Sequence, residues 1–289
     1  MLAKNKNFLI LFFINIFLVI FLVSSCASVK REIDDTFSSN NEHMIMSVLW
    51  TQKSAEYRAL CYQAYNIAKL RLDQALMKLK KDKKNKLKPA VVLDLDETVL
   101  DNSLYRAKLI TANMSYPNGL KEWEGKALAT AVPGALEFSR YAESKKVSIF
   151  YLTKRKIENE EATVVNLTKL GFPVNKESLI MHSEKDASDS GSSSSSSSIM
   201  RNKREEIMSN RKVILFIGDD LSDFSDIFER GSVADRFKEV DRISNDFGNS
   251  FVMLPNPMYG SWEETLHGYK NNNSNRERAQ NRLKALITY

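Results

Sequence analysis

The chain has 289 residues, of which 43% are hydrophobic and 27% are charged, and its formal net charge is +6. These proportions are typical of a globular protein with one main core, and they exclude a largely disordered or repetitive chain. With only two cysteines, the fold is predicted to be stabilised by packing and not by intramolecular disulfide bonds.

The N-terminal segment has the features of an export signal. Lys4 and Lys6 precede an apolar run from Phe8 to Val23, which is short for a membrane span. The small residues before Cys26 resemble the lipobox of bacterial lipoproteins. We therefore expect residues 1–25 to be a signal peptide and Cys26 to carry the lipid that anchors an exported protein to a bacterial membrane, the outer membrane in a Gram-negative cell. The alternative is an ordinary signal peptide with a chance cysteine.

Helices are predicted before the sheet. A polar tether over 26–43 leads to a periodic apolar stretch, which predicts one or two amphipathic helices in a helical part over 44–88. Lysines crowd the end of this part, between positions 78 and 88. A solvated helix end and linker is favoured over a patch for nucleic acid or an anionic membrane, because no aromatic residues interleave the lysines. No nucleic-acid partner is expected.

The remaining segment, 89–289, alternates apolar strand patterns with helical patterns. The helical patterns include Gly134–Ser144 and Glu158–Leu170. This alternation predicts an α/β fold with a parallel sheet flanked by helices. The predicted buried strands are Val91–Asp94, Val147–Thr153, Val213–Asp219 and Phe251–Leu254.

Two segments do not fit the alternation. Residues 103–131 are mostly helical or irregular in pattern, and we expect them to form a cap insertion over the active edge of the sheet. Residues 187–199 are dominated by serine and are expected to form a flexible loop.

Carboxylates follow two of the predicted strands. Asp94 and Asp96 are spaced i, i+2, so their side chains share one face, and Asp219 follows a third apolar run directly after Gly218. The carboxyl ends of strands in an open parallel sheet are where ligands bind. Carboxylates that converge there repel one another unless a cation neutralises them, and oxygen ligands without histidine favour Mg²⁺.

These residues are suited to phosphoryl transfer. A carboxylate can attack phosphorus while a neighbouring acid protonates the departing oxygen, so Asp94 and Asp96 could divide these tasks. Thr153, at a predicted strand end, could donate a hydrogen bond to a phosphoryl oxygen. Taken singly, the aspartates could be turn or cap residues and Thr153 a strand-end turn residue. Their shared position at strand ends favours the catalytic interpretation.

The mature chain resembles the class C bacterial acid phosphatases, lipoprotein acid phosphatases of the haloacid dehalogenase superfamily, over nearly its whole length. The paired aspartate motifs are the most specific part of the resemblance. The segments that carry it are Asp94–Asn102, Gly218–Phe224, Ser54–Tyr57, Val132–Ala135, Phe247–Asn249 and Leu254–Glu263.

The resemblance implies a Rossmannoid sheet with a smaller, mostly helical domain, and a role for each motif residue. Asp94 is implied to be the nucleophile of an aspartyl-phosphate mechanism, and Asp96 the general acid and later the base for water. Mg²⁺ is implied to bind the Asp94 carboxylate, the Asp96 backbone carbonyl and Asp219, with Asp223 in support. Thr153 is implied to bind the phosphoryl group.

The implied activity is hydrolysis of phosphomonoesters. Relatives in this family act on nucleoside monophosphates and nicotinamide mononucleotide, often with aromatic side chains stacked on the base. Tyr105 and Tyr259 are the candidates for such stacking in this chain, with core or rim packing as the alternative.

The sequence departs from the family in two places. The superfamily lysine that bridges nucleophile and phosphate is expected near position 188. This chain has Ser188 there, shortly before the serine tract. The charge could come from Lys185, from another lysine or from none. Lys154 also replaces the asparagine common after the serine or threonine. The alternative function is therefore a catalytically weakened surface lipoprotein that keeps the fold and binds a ligand.

Overall fold

The computed structural model describes residues 41–289 except positions 83, 85, 176, 184–195 and 271–272, and it describes only the backbone at 196–198. The predicted signal peptide, Cys26, Lys185 and Ser188 lie outside the described residues. Within the described part of the chain, no helix is both long enough and apolar enough to cross a membrane.

The central sheet has five parallel strands in the order β5-β4-β1-β6-β7. The strand β1, which precedes Asp94, is the middle strand. Two further short strands, β2 and β3, pair antiparallel beside it. In chain order the strands are β1 (Pro89–Leu93), β2 (Leu100–Asp101), β3 (Thr130–Ala131), β4 (Ser148–Lys156), β5 (Leu179–His182), β6 (Lys212–Gly218) and β7 (Phe251–Met253).

Helices cover both faces of this sheet. The long helix α2 packs on α5, β6 and β7, whereas α7 packs on β4, β5 and β6. The α-helices of the described residues are α1 (Ile45–Lys53), α2 (Ala55–Lys81), α3 (Ser103–Thr111), α4 (Leu120–Gly125), α5 (Ala135–Ser144), α6 (Glu160–Leu170), α7 (Ser196–Asn210), α8 (Val233–Arg242), α9 (Ser261–Leu266) and α10 (Asn275–Ala285).

The alternation of side chains along β1 divides the core into two layers. Val91 and Leu93 are fully buried in the larger cluster, which also contains Cys61 of α2. Val92 points to the other face and packs in a smaller cluster with Met200 of α7. Because successive residues of a strand face opposite sides, a strand covered on both faces is apolar throughout. This burial explains why β1 has no polar residue before Asp94.

The fold confirms the predicted α/β class with a parallel sheet flanked by helices. The stretch within 44–88 forms two helices, because Ser54 caps the second: its hydroxyl accepts a hydrogen bond from the Tyr57 amide at 3.0 Å. Strand β5 (Leu179–His182) was not predicted. The helix α7 begins at Ser196, inside the segment expected to be a loop over 187–199.

Candidate active site

Three carboxylates converge at the carboxyl end of the sheet. Asp94 follows β1, and its backbone amide donates to the carbonyl of Ile217 in β6 at 2.9 Å. Asp219 follows β6 directly, and Asp223 closes the short 3₁₀ turn Leu221–Asp223. One oxygen of each carboxylate lies within 4.8 Å of the other two. Asp223, which was expected only to support the site, thus supplies a third carboxylate oxygen to this acidic cluster.

Gly218 makes this convergence possible through its lack of a side chain. A Cβ at this position would lie 2.6 Å from both Cβ and Oδ2 of Asp223. Such a contact is too close for real atoms, so a larger residue would push Asp223 away from the cluster. The sequence suggested that Gly218 allows a tight turn. Its φ is not in the left-handed region, and the observed requirement is space.

The acidic cluster favours a cation. Burial, reinforced by the charge of Asp223, raises the pKa of Asp219 to about 7. Burial also raises the pKa of Asp223 to about 6, although Lys154 opposes this shift. The pKa of Asp94 is raised well above its ordinary value by burial and then by the charges of Asp223 and Asp219. Three carboxylates in this state have the oxygen donors that a divalent cation needs.

Neighbouring polar groups fix the orientation of the cluster. The Thr98 hydroxyl donates to Asp219 Oδ1 at 2.9 Å, and the Asn256 amide donates to Asp219 Oδ2 at 2.8 Å. The adjacent Asp220 points elsewhere, because its carboxylate accepts hydrogen bonds from the backbone amide and the hydroxyl of Ser261. Only the first of these two consecutive aspartates therefore faces the site.

Asp96 lies two residues after Asp94 but has a different environment. The Arg155 side chain donates to both carboxylate oxygens of Asp96, at 2.7 to 3.1 Å, and the Asn102 amide donates at 2.7 Å. Burial alone would raise the pKa of Asp96, but Arg155 and then Asn102 hold it below its ordinary value. Asp96 is therefore neutralised and oriented by the protein itself.

Thr153 lies in the same group of residues. Its side chain is buried, with 1% exposure, and its hydroxyl is 3.5 Å from Asp96 Oδ2. The hydroxyl also accepts a hydrogen bond from the Arg155 amide at 3.1 Å. Thr153 thus lies within β4, which continues to Lys156, just after Tyr151, the last residue of β4 that pairs with β1.

Lys154 enters the site from the same strand, β4. It lines a cleft together with Asp94, Ser222, Asp223 and apolar side chains from β1, β4 and β6. Its ammonium lies 3.4 Å from the Ser222 hydroxyl. Desolvation by the surrounding protein lowers the pKa of Lys154, but the nearby carboxylates, Asp223 first, raise it by more. The lysine is therefore held as a cation.

The two aromatic candidates differ in accessibility. Tyr105 is 2% exposed, and its ring stacks on Trp123 with a centroid separation of 6.5 Å, so it has no exposed face in this structure. Tyr259 is partly exposed. Its hydroxyl donates to Glu97, and the guanidinium of Arg106 lies 3.6 Å from its ring centroid. Of the two, only Tyr259 presents accessible surface near the site.

A family model for the HAD superfamily, subfamily IIIB (acid phosphatase), matches residues 22–262. The chain belongs to this acid phosphatase family. Its structure is similar to that of the class C acid phosphatase from Bacillus anthracis, with a TM-score of 0.77 and 37% identity over 87% of this chain and 99% of that one. The structure of that class C acid phosphatase with tungstate bound matches with a TM-score of 0.77 and 38% identity, over 86% of this chain and 98% of that one.

This membership confirms the resemblance inferred from the aspartate motifs and identifies the chain as a phosphomonoester hydrolase. The site of this acid phosphatase also contains residues that the sequence did not single out. Arg155 neutralises Asp96, while Thr98 and Asn256 orient Asp219. Thr98 and Asn256 lie within motifs that carried the resemblance. The sequence indicates Arg155 only weakly, because its one distinguishing feature is that it is a basic residue two positions after Thr153.

Proposed function

We propose that this acid phosphatase is an exported, lipid-anchored enzyme that uses Mg²⁺ to hydrolyse small phosphomonoesters, with nucleoside monophosphates and nicotinamide mononucleotide as expected substrates. The observation that carries the proposal is the convergence of Asp94, Asp219 and Asp223 within 4.8 Å. Asp96 and Thr153 lie at the same edge of the sheet. Nucleophile, acid, hydroxyl donor and acidic cluster thus meet where one phosphoryl group can bind.

The donor set supports Mg²⁺, because Mg²⁺ is held by oxygen atoms from a few carboxylates, water and substrate phosphate. Asp94 and Asp219 would hold it, with the backbone carbonyl of Asp96 and with Asp223 close by. When bound, Mg²⁺ would neutralise carboxylates and polarise the phosphoryl group. EDTA treatment should abolish phosphate release and Mg²⁺ should restore it. Activity that survives complete metal removal would contradict this part of the proposal.

The protein groups account for the two half-reactions. The Asp94 carboxylate attacks phosphorus, the bond to the leaving oxygen breaks, and Asp96 supplies the proton to that oxygen. Water then attacks phosphorus and transfers a proton to Asp96, which releases phosphate and regenerates the Asp94 carboxylate. The Thr153 hydroxyl donates to a phosphoryl oxygen. Arg155 lowers the pKa of Asp96, so acidic solution favours the protonated form that the first half-reaction needs.

The direct test compares the purified mature protein with its Asp94→Asn variant. Wild type should release phosphate from nitrophenyl phosphate and from nucleoside monophosphates at mildly acidic pH with Mg²⁺, and Asp94→Asn should release none. The serine tract supports the alternative of a weakened lipoprotein that only binds a ligand. That alternative predicts that both proteins are equally inert while nucleotide binding persists.

The anchor is tested separately. Cells that express the full chain should incorporate labelled palmitate into the protein, and Cys26→Ala should remove the label without reducing the activity of the released protein. Globomycin, which blocks processing of bacterial lipoproteins, should cause the unprocessed form to accumulate. A mature protein that carries no lipid on Cys26 would contradict lipid anchoring and leave the enzymatic proposal intact.

A further inference from the structure

The phosphoryl site of this chain has an excess of negative charge. Asp94, Asp219 and Asp223 lie around the ends of β1 and β6, and a phosphomonoester adds further negative charge. One divalent cation cannot neutralise all of these groups. A cationic side chain that can contact the phosphoryl oxygens would therefore stabilise bound substrate and transition state.

Most cationic side chains near the site are already committed to protein groups. Arg155 is 4% exposed and is bound to Asp96. Arg204, which also lines the cleft, is 5% exposed, and its guanidinium donates to the Ser222 carbonyl at 2.9 Å. Arg106 is 7% exposed and lies over the Tyr259 ring. Their geometry leaves little freedom to reach a ligand.

Lys154 differs from these arginines because much of the residue is accessible to solvent, although its ammonium is desolvated where it lines the cleft beside Asp94. Its ammonium has a long contact, 3.4 Å, with the Ser222 hydroxyl. Within the part of the chain that the structure describes, it forms no ion pair closer than 4.0 Å. A flexible ammonium with a weak partner can exchange that partner for a phosphoryl oxygen.

The position of Lys154 on β4 also fits this role. It follows Thr153, whose hydroxyl lies 3.5 Å from Asp96, and so it lies in the part of β4 that is beside the β1 aspartates. The serine tract, Ser192 to Ser198, which leads into α7, contains no lysine or arginine. We propose that the Lys154 ammonium binds the transferred phosphoryl group and offsets its negative charge. This inference rests on the proposed phosphatase function.

If Lys154 binds the phosphoryl group, its removal should change the affinities for a cation and for an anion in opposite directions. A purely structural role for Lys154 does not predict this. Lys154→Met removes a positive charge near the acidic cluster, so Mg²⁺ should bind about two- to tenfold more tightly. Tungstate, a phosphate-like oxyanion, should bind about tenfold or more weakly in the presence of Mg²⁺. A lysine that only held the fold would weaken both ligands and lower the melting temperature.

Isothermal titration of Mg²⁺ and of tungstate, followed by kinetics with nitrophenyl phosphate, provides the test. Lys154→Arg should retain most of the tungstate affinity, and Lys154→Asn should not. Lys156→Met, a change of the same charge two residues further along β4, is the matched control and should leave both affinities within about twofold. Lys185→Met tests the other lysine that the sequence offers.

The outcomes separate this inference from the proposed function. Loss of tungstate affinity with tighter Mg²⁺ binding in Lys154→Met supports the inference, even if the wild type proves inert and the proposed activity fails. If the wild type is active and Lys154→Met retains its tungstate affinity and kcat/KM, the inference is wrong and the proposed function stands. Tungstate binding that depends on Lys185 and not on Lys154 also overturns the inference.

Discussion

Asp94 and Asp96 lie two residues apart at the end of one strand, yet their surroundings have opposite charge. Asp96 is bound by Arg155 and Asn102, and its pKa is lowered. Asp94 faces Asp219 and Asp223, and its pKa is raised. The protein supplies the counter-charge for one carboxylate and leaves the other for a cation from outside. The difference supports the proposed division of roles between the two aspartates, which their spacing alone could not assign.

The surroundings of the two aspartates also differ in burial. The Asp96 side is formed by buried partners, since Arg155 is 4% exposed and Asn102 is 5% exposed. The acidic cluster is partly exposed and borders the cleft that Lys154 lines. Preorganised groups hold Asp96, the proposed proton-transfer residue, in place, whereas Asp94, the proposed nucleophile, lines the cleft. Each side can be altered separately by substitution.

The largest expected effect comes from removing a carboxylate of the acidic cluster. Asp219→Asn should lower phosphate release by about 100-fold or more and weaken Mg²⁺ binding in calorimetry. The fold should persist, because the change relieves repulsion between the half-buried carboxylates of the cluster. Asp241→Asn, at an exposed position of α8, is the control and should behave as wild type. Unchanged Mg²⁺ affinity in Asp219→Asn would contradict the assignment of the acidic cluster as the cation site.

Removing the arginine that binds Asp96 should lower the stability of the protein. Arg155→Met leaves a partly buried carboxylate unpaired, and should reduce the free energy of unfolding by about 2 kcal/mol or more at pH 7. Asp96 has a lowered pKa, so its stabilising effect is present above the ordinary carboxyl pKa of about 4 and disappears as the pH falls through the lower value. Denaturation by guanidinium at about pH 7 and pH 3 should show the difference between the two proteins shrinking in acid.

A surface arginine provides the control for this prediction. Arg242 pairs with Glu239 at 2.7 Å, but its side chain is 57% exposed. Arg242→Met should therefore change the free energy of unfolding by at most about 0.5 kcal/mol. If Arg155→Met is no more destabilising than Arg242→Met, Asp96 does not depend on its arginine.

A smaller loss of activity is expected from a substitution of Gly218, at the end of β6. Gly218→Ala places a Cβ 2.6 Å from Asp223, and should lower kcat/KM by about tenfold through displacement of that carboxylate. Gly125→Ala is the matched control, since a Cβ there meets no atom within 4 Å. Equal kinetics for the two alanine variants would show that the cluster tolerates movement of Asp223.

Much of this arrangement was predictable from the sequence. The apolar runs before Asp94 and Asp219 are strand patterns, and parallel strands bring their carboxyl ends to one edge. Arg155 could not be assigned as the partner of Asp96, because these two residues, 59 positions apart in the chain, become neighbours only through the pairing of β1 with β4. The burial of Tyr105 on Trp123 depends on the packing of α3 and α4, which periodicity does not specify.

The central claim is that Asp94 attacks phosphorus while Asp96 transfers the proton. Its most direct measurement is peptide mass spectrometry of the acid-quenched Asp96→Asn variant after mixing with nitrophenyl phosphate and Mg²⁺. Nitrophenolate departs without a general acid, whereas hydrolysis of the intermediate needs the base. We predict a phosphate adduct on the peptide that contains Asp94, and specifically on that residue. A quenched enzyme with no adduct, or with phosphate on a different residue, would contradict the account.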